Sequence, residues 1–234
     1  MAGGAAQVTV DGIDGLEIIR KRDARRMKLT VDPRSGAVRL VLPLRAALGP
    51  AMDWVEAHRG WIQRQRARLP DPWPVTPGMA VPFAGQDYVL DWSEAHPRKP
   101  ALLGDRLTIG GPQDVMASRL LRWLRAEAKA VLDAETREIA GAAKIEVADI
   151  SVGDPRARWG SCSSNGNIRY SWRLILMPDQ VRRSIVAHEV AHRVHMDHSR
   201  AFHRLVAELY GEDPRTARAW LRAHGARLHW FGRD

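Results

Sequence analysis

The sequence predicts an α+β fold, and three observations carry that expectation. Alternating apolar positions in the first half of the chain read as short strands. A long amphipathic helix pattern occupies 113–140. A second helix pattern, opening at Pro178 and Asp179, carries two histidines four residues apart. The 234 residues suffice for one good core, or for one core with a small appendage. With 45% hydrophobic and 27% charged residues, the composition excludes a disordered chain. One cysteine excludes an intrachain disulfide framework, an all-cysteine zinc site and a cysteine-ligated iron–sulfur cluster.

The elements follow in order. Residues 1–15 are small and glycine-rich and read as a loose terminus. Strands are expected from Leu16 to Leu44. Met27–Val31 and Val38–Leu42 alternate around the turn Asp32-Pro33-Arg34-Ser35-Gly36, which makes a hairpin. The polar side of these strands holds Arg20, Lys21, Arg22, Arg25, Arg26, Lys28 and Arg39. It reads as a solvated face, or as a basic patch for nucleic acid. Residues 50–68 form one amphipathic helix pattern, and the proline-rich run Pro70–Gly78 reads as a linker. Short strands are expected at Tyr88–Leu90 and Leu107–Ile109.

In 113–140, Val115, Leu120, Trp123, Leu124, Val131, Leu132 and Ile139 mark the buried face, and Gly141 the stop. Lys144–Val152 reads as a strand. A second strand at Ile168–Tyr170 runs on through Leu174–Met177 to Pro178. Helices follow at about 199–210 and 214–224. The organisation expected is a β-rich region with its following helix over 1–70 and the chemistry-bearing domain over 78–234.

The chemistry concentrates in His188-Glu189-Val190-Ala191-His192. Four residues advance a helix by about 6 Å and turn it by about 400°, so both imidazoles share one face. Such a pair can reach one metal ion at roughly 2.0–2.1 Å, with Glu189 placed as the general base toward a metal-activated water. A third ligand must come from His195, His198 or His203. His195 lies about 10.5 Å along a continuous helix from His188, too far for one ion to gather the set. His198 would point about 240° away from His192 on a continuing helix. It joins the pair only if the helix ends near 194–196 and the chain turns back. Asp197 or Ser199 can cap a new helix there. The expected ligands are therefore His188, His192 and His198, with water as the fourth. His195 is the runner-up or a pocket-lining group. Cys162 as a fourth ligand would make a closed, structural site.

Upstream, Ser164-Asn165-Gly166-Asn167 is a strong turn joining a short arm to the strand at Ile168. An edge strand beside the motif helix could pair with an extended substrate. Arg158, Ser161 or Tyr170 could then face the developing oxyanion. Asp154, Asp179, Glu208, Glu212 and Asp213 are available to orient a ligand imidazole.

The motif followed by Asp197-His198-Ser199-Arg200-Ala201-Phe202 resembles the YgjP-like metallopeptidase family, and more distantly SprT-like proteases. Arg158-Trp159-Gly160-Ser161-Cys162-Ser163-Ser164-Asn165-Gly166-Asn167-Ile168 and Trp172-Arg173-Leu174-Ile175 resemble that family's second signature. The resemblance implies a minimal zincin-like fold and a zinc-dependent hydrolase, with the motif histidines and the later histidine as ligands. It also implies Glu189 in the glutamate role but no particular substrate; a protein or peptide substrate is the expectation.

Zinc is preferred by the donor set, which also accommodates nickel, cobalt or manganese. Lys+Arg 36 against Asp+Glu 27 gives +9, which suits a nucleic-acid partner, an acidic partner or solubility alone. No run approaches the roughly 20 apolar residues of a membrane helix, and Met1–Gln7 has no basic start. A cytoplasmic location without membrane contact is the expectation. The alternatives are a nucleic-acid-associated protein and a non-catalytic module with a structural metal.

Overall fold

A computed structural model describes residues 6–7, 16–155 and 157–233. The chain divides into two compact units, Met1–Asp71 and Pro72–Asp234, and the division falls inside the proline-rich run. The loose terminus expected over 1–15 lies outside the described residues, except for a two-residue strand.

The first unit holds β1 (Ala6–Gln7), β2 (Leu16–Lys21), β3 (Lys28–Val31), β4 (Val38–Pro43), α1 (Leu48–Ala57) and α2 (Arg59–Arg66). Its sheet order is β1-β2-β4-β3, with β3 and β4 antiparallel and β2 and β4 parallel. The hairpin turn follows from Asp32, whose carboxylate accepts from Arg34 N at 2.8 Å, and from Gly36 at φ 70. Leu16, Ile18, Val38, Leu40 and Leu42 alternate inward onto Ala51, Val55 and Ile62 of the two helices. The single helix expected over 50–68 is broken at His58, where the backbone leaves helical geometry (φ −101, ψ 10). Two of the strand cations serve the unit itself. Arg20 donates to the Leu44 and Ala46 carbonyls, and Arg39 pairs with Glu17 at 3.0 Å.

The second unit begins with a four-stranded sheet: β5 (Ala80–Phe83), β6 (Gln86–Trp92), β7 (Ala101–Leu103) and β8 (Arg106–Ile109), in the order β5-β6-β8-β7. A 3-10 turn at Gln113–Val115 leads into α3 (Met116–Ala142), whose Leu120, Leu124, Ala128, Leu132, Thr136 and Ile139 form the buried face. Three strands follow, β9 (Ile150–Gly153), β10 (Gly160–Cys162) and β11 (Ile168–Ser171), in the order β10-β11-β9. The helices α4 (Asp179–Ala191), α5 (Arg200–Tyr210) and α6 (Pro214–Leu228) complete the unit.

Two strand expectations are corrected. Lys144–Asp149 is not strand. Lys144 takes φ 56, and Ile145 N donates back to Ala140 O, so this stretch ends α3 before β9 can begin. Trp172–Leu176 is a buried 3-10 helix rather than an extension of β11. The Ser171 hydroxyl accepts from Arg173 N and starts the turn, and Pro178 follows it.

A buried ion pair joins α4 to α3. Arg182 is 3% exposed and forks onto Glu135 of α3, with Nε–Oε2 3.0 Å and Nη2–Oε1 2.8 Å, and it also meets Asp179 at 2.9 Å. Truncating one partner strands the other's charge in the core, whereas replacing both by apolar groups removes that cost. Arg182→Ala should therefore lose about 3–5 kcal/mol of stability in urea unfolding. The double change Arg182→Met with Glu135→Leu should recover most of that loss.

Candidate metal centre

Helix α4 ends at Ala191, and His192 is its C-cap residue. The next turn closes back on the helix: Val194 N and His195 N both donate to the Ala191 carbonyl. Asp197 then accepts from Ser199 N at 3.1 Å. Ser199 caps α5 by accepting from Phe202 N at 3.3 Å. This reversal brings His198 over the face of α4 that presents His188 and His192. The ligating atoms of the three imidazoles lie within 4.8 Å of one another, and His188 Nε2 is 3.4 Å from His198 Nε2. Two nitrogens bound to one ion at tetrahedral angles, each about 2.1 Å from it, would stand about 3.4 Å apart.

Phe202, fully buried on α5, forms the floor. Its ring centroid is 4.9, 4.5 and 4.9 Å from those of His188, His192 and His198. His192 Nδ1 lies 3.0 Å from the His195 carbonyl. Donation to that carbonyl leaves the lone pair of His192 on Nε2. Burial first, then the neighbouring His192 and His198, push His188 down to about 4. Burial also lowers His192. Burial thus favours the neutral, ligating form of His188 and His192, and with His198 they make a converging donor set that fits a divalent cation.

Glu189 is 5% exposed, and burial pushes its carboxyl up to about 7, against the pull of the Arg158 charge. Strand β10 passes directly across it. A Cβ at Gly160 would fall 2.5 Å from Glu189 Oε1, so only glycine lets the strand approach this closely. β10 is an edge strand with β11 on one side. The Trp159 carbonyl accepts from Ser171 N, and Ser163 N donates to the Asn167 carbonyl. By alternation, the amides and carbonyls of Gly160 and Cys162 face away from β11, along the free edge.

Two clefts meet at Glu189. One, of about 320 Å³, holds His188, His192, His198, Ser161, Cys162 and Met196. The other, of about 300 Å³, is walled by Trp159, Ile185, Val206 and Leu221, with Arg218 beside them. Arg158, Gly160, His188 and Glu189 border both. A larger cleft of about 470 Å³ between α3 and β9 contains none of these residues.

The other site residues named from sequence are placed as follows. Arg158 is exposed and Ser161 half-buried, both at the cleft walls. Tyr170 is fully buried in the core. Thr136 already donates to the Leu132 carbonyl, so the Tyr170 hydroxyl donates to Thr136 Oγ1 at 3.0 Å. His195 contributes its carbonyl and not its ring. Cys162 lies outside the histidine cluster, and burial raises its thiol. The carboxylates expected behind the ligands are engaged elsewhere: Asp154 with Arg173, Asp179 with Arg182, Asp213 with Arg215. Sequence reasoning missed Gly160 and Arg218. The glycine beside Trp159 was a usable signal, whereas nothing local marks Arg218.

A model of the YgjP-like metallopeptidase domain matches residues 25–224. The chain belongs to the YgjP-like metallopeptidase family. The match spans most of both units, and the zincin-like arrangement of its motif helix and histidine triad is that of a metal-dependent hydrolase. No curated protein and no solved structure matches the chain significantly. Among the described residues, no helix is long and apolar enough to cross a membrane.

The raised Glu189 has a thermodynamic consequence in metal-free protein. Its native carboxyl holds a proton up to about 7, whereas the unfolded one releases it near 4.5, so stability falls as pH rises through that window. Glu189→Gln removes the penalty. After chelation, this variant should be more stable than the parent at pH 8, by on the order of 3 kcal/mol. The gain should vanish below pH 4.5, as read by urea unfolding at both pH values.

Proposed function

We propose that this metallopeptidase is a zinc enzyme cleaving peptide or amide bonds, with His188, His192 and His198 as ligands and Glu189 as general base. The observation that carries the reading is the convergence of three imidazoles beside the buried Glu189 carboxylate of α4. Zinc bound to such a set supplies a Lewis acid, which acidifies water and polarises a carbonyl oxygen.

The chain's own residues do the rest. Glu189 takes the proton that the attacking water gives up, because its buried environment favours the neutral carboxyl. It then returns that proton to the leaving nitrogen. Gly160 and Cys162 offer amides and carbonyls along the free edge of β10, to which an extended peptide can add as a further strand. That mode binds backbone and leaves side-chain choice to the clefts. Arg158 borders both clefts and brings a positive charge to the oxyanion formed as the carbonyl is attacked; Ser161 lines the same path. Phe202 holds the three imidazoles on one floor, so they need not reorganise.

Elemental analysis of protein purified without chelators or a polyhistidine tag tests the ligands. The parent and Glu189→Gln should each carry about one zinc per chain, and His198→Ala should lose it. With a broad peptide mixture, Glu189→Gln should fall by about 100-fold or more in rate. Retained hydrolysis in that variant would refute the base assignment. Zinc persisting in His198→Ala would refute the ligand set. Phe202→Ala should cost about 3–5 kcal/mol of stability and weaken zinc binding in competition with a chelator.

A further inference from the structure

The cleft on the α6 side of Glu189 has a composition that bond cleavage alone does not require. Trp159, Ile185, Val206 and Leu221 make one side of it apolar. Against them stands Arg218, a cation with no role in the proton transfers above. Among the described residues, Arg218 makes no ion pair. Asp213, the acid whose charge it touches, is already bound to Arg215 at 2.7 Å. The guanidinium lies 3.4 Å from His203 Nδ1, and its charge reaches His188.

An exposed arginine is ordinary on a surface this basic. This one lies on a cleft that shares His188 and Glu189 with the histidine cluster, and so faces whatever flanks the bond being cut. The free edge of β10 also leads there. Trp159 and Gly160 border this cleft, while Gly160, Ser161 and Cys162 border the other. A peptide laid along the edge therefore crosses Glu189 and enters the apolar cleft with its next residue.

We infer that this cleft seats an apolar substrate residue flanking the scissile bond, and that Arg218 binds a carboxylate at or next to that residue. The inference rests on the peptidase reading above. The apolar wall rewards removing the side chain from water. A guanidinium recognises a carboxylate through two parallel hydrogen bonds, a charge-assisted contact strengthened beside a low-dielectric wall. The carboxylate has two possible sources: the substrate's own C-terminus, or an acidic side chain one residue farther on.

Four otherwise identical peptides separate these sources: one ending in leucine as the free acid, one ending in leucine amide, and two extended by glutamate amide or lysine amide. kcat/KM is measured by mass spectrometry on the zinc-loaded full chain. Affinity for the same peptides is measured by calorimetry on zinc-loaded Glu189→Gln. Arg218→Ala, Arg218→Lys and Arg218→Glu are compared, with far-UV circular dichroism confirming that each folds.

The expected result is a preference of about tenfold or more for a carboxylate-bearing peptide, in rate and in affinity. It should shrink to within about twofold in Arg218→Ala, recover in part in Arg218→Lys, and turn toward the lysine peptide in Arg218→Glu. Whether the free acid or the glutamate peptide carries the effect identifies the source. Leu221→Trp, which fills the cleft, should penalise leucine relative to glycine at the seated position. Equal use of acid and amide peptides by the parent, or a preference that survives Arg218→Ala, overturns the inference and leaves the peptidase reading standing. Failure of the parent to cleave, with failure of Glu189→Gln to bind any of the four, overturns both.

Discussion

The reversal of the chain between His192 and Ser199 is the constraint on which the centre depends. A helix continuing past Ala191 would carry His198 to the wrong side, and the two motif histidines would be left with no third donor. Three local interactions make the reversal: the Ala191 carbonyl capturing the amides of Val194 and His195, the Asp197 carboxylate on Ser199 N, and the Ser199 hydroxyl on Phe202 N. Each is a short-range contact that any sequence with these residue types could make. Their joint effect is long-range, because Phe202 then inserts between the helices and all three imidazoles pack on one ring. The same turn sets the proton position on His192, since the carbonyl it exposes is that of His195.

The rest of the second unit holds that hairpin against a strand. The fork of Arg182 onto Glu135 ties α4 to α3, and the Thr136–Tyr170 hydroxyl contact ties α3 to β11. β11 carries β10, and Gly160 lets β10 lie against Glu189 without a side chain between them. The polar contacts in this series are satisfied at both named partners, which makes a polar interior tolerable. One exception sits inside it: Arg182 Nη1 is buried with no hydrogen-bond partner among the described residues. Because the carboxylate is pressed between helix and strand, burial raises its pKa, and the site acquires a base that holds its proton near neutral pH.

Much of this was legible because the signals are local. The spacing of His188 and His192 declares a shared helix face, and the polar run Asp197-His198-Ser199 declares a break and a cap. The Asn165-Gly166 turn declares the β10–β11 hairpin, which closes with Gly166 at φ 90. The failures share one cause. Leu174–Met177 is apolar enough for a strand, but Ser171 and Pro178 bracket it into a 3-10 turn buried on every side, where periodicity carries no information. Tyr170 resembles a site residue by its nearness to the motif strand. Its side chain shares the sheet face on which α3 and α4 pack, but it is fully buried there, and a hydroxyl on α3 claims it.

By itself, then, the sequence determined the class of chemistry: two imidazoles and a carboxylate at helical spacing, a third imidazole past a capped break, and an edge strand to lie beside them. These are properties of neighbours along the chain, and short-range sterics and hydrogen bonds dictate them. Only the tertiary structure decided which residues close the site around that chemistry. Arg218 and Leu221 lie some thirty residues beyond the motif on a different helix, and they meet Trp159 and Ile185 only after α6 has packed against α4. Likewise, the carbonyl behind His192 and the aromatic floor beneath it are supplied by packing. No spacing rule encodes them, because what places them is the shape of a buried interface and not the period of a helix or a strand.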